Sequence, residues 1–214
     1  MLDTPIDRTI ETFRDCLDKS EQVEEPWRHW LLADALPDDV VDRVLALPYA
    51  PPRAGTFDGR RESNNSTRVF FGKDEQARHP VCAELAALFR DAGTIEAIET
   101  TCGVDLSAAK PRVEYTQDVD GFWLEPHTDI KVKLFTMLIY LSDDPALADA
   151  GTDIYDATGR THLGASPYGR NLGLIFLPGE DTWHGFERRP IRGVRQSLIV
   201  NYVSPEWRAT GELA

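Results

Sequence analysis

Apolar residues recur at helical spacing over residues 4–19, at Ile6, Ile10, Phe13 and Leu17, with Thr4 placed to cap the N-terminus and Pro5 at the first helical position. A second helix is predicted over 37–47, "PDDVVDRVLAL", ended by Pro48. Residues 48–68 are rich in Pro, Gly, Asn and Ser and read as a long loop, of the kind usually tied to function. Helical spacing returns at about 79–92 and 93–101.

From residue 111 the period changes. "RVEYTQ", "FTMLIYLS", "NLGLIFLP", "DTWHGF" and "VRQSLIVNYV" are strand-like, rich in β-branched and aromatic residues and separated by Gly, Pro and Asp. Several short strands at close spacing predict a β-sandwich or barrel. The chain is therefore expected to be mainly β with α, a single domain over 1–214. Residues 1–105 form its mostly helical part and 106–205 its β-core, with helices packed on one face of an antiparallel β-fold.

At 42% apolar residues the 214-residue chain can bury a core, which excludes wholesale disorder. A formal charge of −13 argues against nucleic-acid partners, which need a basic face. The three cysteines, Cys16, Cys82 and Cys102, are scattered without a CxxC, so neither a disulfide framework nor a thiolate zinc site is expected. The polar, acidic N-terminus is no signal peptide, and no apolar run is long enough to span a membrane, so a cytoplasmic protein is expected.

"LEPHTDIKV", residues 124–132, reads as a broken strand in which His127 and Asp129 stand two apart and so share one face. Two polar groups converging on a core need a partner, and a metal ion is one candidate. His184 in "DTWHGF" is the candidate third ligand; His29, His79 and His162 read as surface or capping residues. Two histidines and one carboxylate on one side of a site, with the other side open, suit non-haem Fe(II) oxygenases. If "TWHGFE" and "VRQSLIVNYV" pair across "RRPIRG", His184 lies opposite Ser197, with Arg195 one diagonal step away. A guanidinium there is a ready anchor for a carboxylate, and burying it without such a partner is costly.

The order "HTD … H … RQS", together with "VEYTQDVDGFWLEPHTD", "FTMLIYLSDDP" and "GLIFLPGEDTWHGFERRPIRGVRQSLIVNYV", resembles the Fe(II)/2-oxoglutarate-dependent dioxygenases, in particular the prolyl-hydroxylase-like branch, over about residues 111–204. That resemblance implies a double-stranded β-helix (jelly-roll, cupin-like) core with N-terminal supporting helices. It implies that His127, Asp129 and His184 bind Fe(II), that Arg195 grips the distal carboxylate of 2-oxoglutarate with Ser197 close by, that Tyr140 donates its hydroxyl to the same carboxylate, and that Tyr115 lines the co-substrate pocket. Dioxygen is the implied oxidant, with ascorbate a candidate accessory. The implied reaction is hydroxylation of a peptidyl or small-molecule substrate with release of succinate and CO2. Where many relatives carry "GGxT", this chain has "DAGTDIYD", keeping one Gly and Thr152 and adding Asp153; some relatives use lysine where Arg195 stands.

Two other classes fit part of the pattern. A jelly-roll module could bind metal or ligand without turnover. A zinc hydrolase could use the same ligands, although no HxHxDH cluster is present and Arg195 has no role in it. Substrate identity and oligomeric state are left open by the sequence.

Overall fold

The computed structural model describes residues 4–55, 57–60 and 68–214. Thr4 caps helix α1 (Pro5–Asp18) in a reciprocal box: the Asp7 N–H donates to the Thr4 hydroxyl, and the Thr4 N–H donates to the Asp7 carboxylate. The other helices are α2 (Asp38–Leu45), α3 (Lys73–Arg78), α4 (Pro80–Arg90) and α5 (Ala92–Cys102). Eleven strands follow or intervene: β1 (Glu21–Val23), β2 (His29–Leu32), β3 (Val69–Phe70), β4 (Lys110–Asp118), β5 (Leu124–His127), β6 (Lys133–Tyr140), β7 (Asp153–Tyr155), β8 (His162–Ala165), β9 (Gly173–Phe176), β10 (His184–Phe186) and β11 (Arg195–Val203).

They form two antiparallel sheets. The major sheet runs β1-β2-β9-β6-β11-β4-β3 and the minor sheet β5-β10-β7-β8. From β5 onward the chain passes back and forth between them, which makes the core a jelly roll, mainly β with helices on one side. The outer face of the major sheet carries Val113, Phe135, Met137, Ile175, Leu198, Val200 and Tyr202, packed against Phe13, Val41, Leu85, Phe89 and Ile98 of the helices. Each such side chain, fully buried, contributes about 1.5–3 kcal/mol. A second core of Leu138, Leu174, Phe176 and Phe186 fills the space between the sheets.

Three expectations need correction. Residues 1–105 hold three strands besides the helices: β1 and β2 extend the major sheet beyond β9, and β3 closes its other edge. β10 does not pair with β11; "RRPIRG" crosses between the sheets, so His184 stands opposite His127 and β11 lies between β4 and β6. His29 is a buried residue of β2 whose Nδ1–H donates to the Trp27 carbonyl at 2.8 Å, not a surface group. The described residues of the 48–68 loop carry neither helix nor strand, while residues 56 and 61–67 lie outside the described residues. The three cysteines are free and buried. Among the described residues no helix is long and apolar enough to cross a membrane.

Candidate metal centre

β5 ends at His127 and β10 begins at His184, and their pairing sets the two imidazoles side by side with ring centroids 4.4 Å apart. Asp129 lies just past β5, in the turn into β6. One ligand atom from each of His127, Asp129 and His184 can be chosen so that all lie within 4.8 Å of one another. Each histidine is tied back to its own strand: the Nδ1 of His127 bonds the Glu125 carbonyl at 2.9 Å, and that of His184 the Thr182 carbonyl at 3.0 Å. A carbonyl only accepts, so Nδ1 carries the proton and the lone pair is on Nε2. Burial, and then the neighbouring His127, push the pKa of His184 down to about 3, which keeps it in the neutral form that ligates.

Both oxygens of Asp129 are oriented. Oδ1 accepts from the buried Lys133 ammonium at 2.5 Å, and Oδ2 from the Thr136 hydroxyl at 2.7 Å. Thr136 in turn accepts from the Asn201 amide at 2.9 Å. Two imidazole nitrogens and a carboxylate oxygen, fixed by outer hydrogen bonds, fit a divalent iron with open positions.

Arg195 reaches the same space from the opposite sheet and is only 5% exposed. Its Nη1 donates to Asp118 at 2.7 Å and its Nε to the Ala150 carbonyl at 2.7 Å, while Nη2 makes no hydrogen bond among the described residues. Burial opposes the charge most, and the Asp118 carboxylate with the nearby Tyr140 and Tyr168 together offset it, leaving the pKa raised. A buried guanidinium needs a carboxylate, and Asp118, directly across the β4–β11 ladder, is one within the chain. Ser197, two residues along β11, is fully buried, and its hydroxyl has no hydrogen-bond partner among the described residues. A small cavity of about 60 Å³, lined by Arg195, Asp118, Thr152 and the three candidate ligands, connects the two ends of the site.

The tyrosines divide. Tyr140 faces the inter-sheet space, with the Arg195 guanidinium 5.7 Å from its ring centre, and its hydroxyl is held by Thr152 at 2.8 Å and Ser166 at 2.6 Å. Tyr115 does not line the pocket. It pairs with Leu198 on the outer face, sits in the helix-packed core, and its hydroxyl accepts from Gln196 at 2.6 Å. One residue's shift along a strand reverses the face. Trp123 packs: its Nε1–H donates to the Phe57 carbonyl at 2.9 Å and its ring covers Gly59, whose φ of +78° and 2.3 Å clearance admit no side chain. The sequence reading missed Asp118, Lys133 and Thr136; the inward parity of β4 and β6 was the signal for Asp118 and Thr136. A second cavity, about 310 Å³, opens on the other side of His127 and Asp129.

No family model matches the chain. No curated protein matches it in sequence. Solved structures do match in fold. A Pseudomonas putida prolyl-4-hydroxylase is 17% identical with a TM-score of 0.56, the alignment covering 92% of this chain and 93% of that one. A prolyl hydroxylase from Trichoplax adhaerens, solved with a peptide fragment of the hypoxia inducible factor oxygen degradation domain, is 14% identical with a TM-score of 0.57 over 91% and 89%. HygX from Streptomyces hygroscopicus, solved with nickel and 2-oxoglutarate bound, is 14% identical with a TM-score of 0.53 over 84% of each. This chain has the jelly-roll fold of prolyl hydroxylases and other 2-oxoglutarate-dependent oxygenases.

Proposed function

We propose that the protein is an Fe(II)- and 2-oxoglutarate-dependent oxygenase that hydroxylates a C–H bond of a peptidyl or small-molecule substrate. One observation carries the reading: two imidazoles, each with Nδ1 tied to its own backbone, converge with Asp129 on one point while a buried arginine stands across a small cavity. Iron, when bound, would couple decarboxylation of 2-oxoglutarate by dioxygen to hydroxylation of the substrate, leaving succinate and CO2.

The chain's own residues do the rest. His127, Asp129 and His184 hold the metal, and Thr136 and Lys133 fix the carboxylate's direction. Arg195 offers Nη2, and Ser197 an unpartnered hydroxyl one step away, to the distal carboxylate of the co-substrate. Tyr140 acts through Thr152, which lines the cavity, so its hydroxyl would be shared with the co-substrate rather than given to it alone. Tyr115 has no place in this site. Burial excludes water and strengthens each ionic contact.

The test is succinate formation from 2-oxoglutarate that requires Fe(II) and is lost in His184→Ala. The Arg195–Asp118 pair is what a non-catalytic module would also use to satisfy a buried arginine. Stoichiometric metal binding with no succinate, with or without candidate substrates, favours that module.

A further inference from the structure

The second cavity owes its outer wall to the chain after β11. The chain turns back there, the Trp207 N–H donating to the Ser204 carbonyl at 3.0 Å. It then returns along β4, where Leu213 bridges Arg112 and the Ala214 N–H donates to the Pro111 carbonyl at 3.0 Å. This return places Trp207 and Glu212 against the cavity, facing His127 and Asp129.

The charges around it do not balance. The Arg112 guanidinium lies over the rings of Phe70 and Trp207, at 4.5 and 5.1 Å, and is bonded to Glu114, Asn201 and Glu212. Lys133 is paired with Asp129. Every lining cation is thus matched by a carboxylate of the chain. Glu125 is not: its exposed carboxylate lines the cavity and makes no hydrogen bond or ion pair among the described residues. Beside Gly59 and Thr128, the remaining wall is an apolar stretch from Leu124, the Trp207 ring and Ile130, which is 57% exposed.

We propose that this cavity binds the primary substrate and that the substrate is a cation, an amine or guanidinium on an apolar stem. Glu125 pairs with the charge and Trp207 offers a ring face to it. The stem lies along Leu124 and Ile130 toward the metal ligands. An anionic substrate would meet Glu125, while each lining cation among the described residues is already paired with a carboxylate. The assignment rests on the oxygenase reading, since it takes His127 and Asp129 as the reactive end of the cavity.

Calorimetric titration of pentylamine, agmatine and the neutral isostere pentanol into protein loaded with Mn(II) and 2-oxoglutarate tests it. The amines should bind at least tenfold tighter than pentanol. Glu125→Gln, which leaves the backbone carbonyl that holds His127 in place, should erase most of that preference while Mn(II) loading is retained. Normal loading with no preference for the cations, or a preference that Glu125→Gln leaves intact, overturns this inference alone. Failure to load Mn(II) and 2-oxoglutarate overturns the oxygenase reading and this inference with it.

Discussion

Along β11 and its neighbour β4, residues of one parity face the helices and residues of the other face the minor sheet, and the two faces differ in chemistry. Leu198, Val200 and Tyr202 join Val113 and Tyr115 in the helix-packed core. On the inner face Arg195, Ser197 and Asn201 stand with Arg112, Glu114, Thr116 and Asp118, all buried. Its charges are paired within the chain: Arg195 with Asp118 at 2.7 Å, Arg112 with Glu114 at 2.7 Å, and Arg68 with Glu114 at 2.8 Å. Buried ion pairs add little net stability, because desolvation consumes the Coulomb gain, whereas apolar burial stabilises outright. The outer face therefore carries the fold, and the inner face spends stability on holding charges at the walls of the two cavities.

Substitutions on the two faces should separate accordingly. The largest effect is expected from Tyr202→Ala, which empties a fully buried site and breaks the hydroxyl's 2.7 Å bond to the Phe89 carbonyl. Urea unfolding should show a loss of about 3–5 kcal/mol. Asp118→Asn keeps the shape and removes the charge facing Arg195, so about 1.5–3 kcal/mol should be lost. Added 2-oxoglutarate should then raise the melting temperature more than in the wild type, because its carboxylate meets an uncompensated guanidinium. An equal or smaller shift would place Asp118 outside the co-substrate's reach.

The smallest effects form a matched pair. Tyr115→Phe removes an outer-face bond to Gln196 and should cost about 0.5–1.5 kcal/mol of stability with 2-oxoglutarate affinity untouched. Ser197→Ala removes an inner-face hydroxyl that has no partner among the described residues, so stability should move by less than about 0.5 kcal/mol while co-substrate affinity drops several-fold. The opposite pattern in this pair would reverse the assignment of the faces.

How much of this was legible in the sequence follows from where each residue sits. β6, β9 and β11 are buried on both faces and lie in apolar or β-branched runs, and β4 alternates Val113 and Tyr115 with polar residues, so these strands stood out. Helices with clear caps or breakers, such as α1 behind Thr4 and Pro5, were equally plain, whereas the six-residue α3 was not. β1, β2, β7 and β8 are three or four residues long, too short for a period to register. The candidate ligand pair was readable because His127 and Asp129 stand only two apart in sequence. Arg195 was reached by a hairpin that does not exist: it meets His184 across the two sheets, not along one. Asp118 and Lys133 carried no motif, and only the folded register sets them against Arg195 and Asp129.

The central claim, that the inner face of β11 anchors a dicarboxylate beside a metal held by His127, Asp129 and His184, is most directly tested by titrating 2-oxoglutarate into Mn(II)-loaded wild type and into the double variant Asp118→Asn/Arg195→Gln. The paired change avoids leaving either charge buried alone. Loss of a charge-assisted contact to the co-substrate costs about 2–4 kcal/mol, so affinity should weaken by about 30–1,000-fold while Mn(II) still binds at one ion per chain. Equal 2-oxoglutarate affinity in the two proteins would contradict the account.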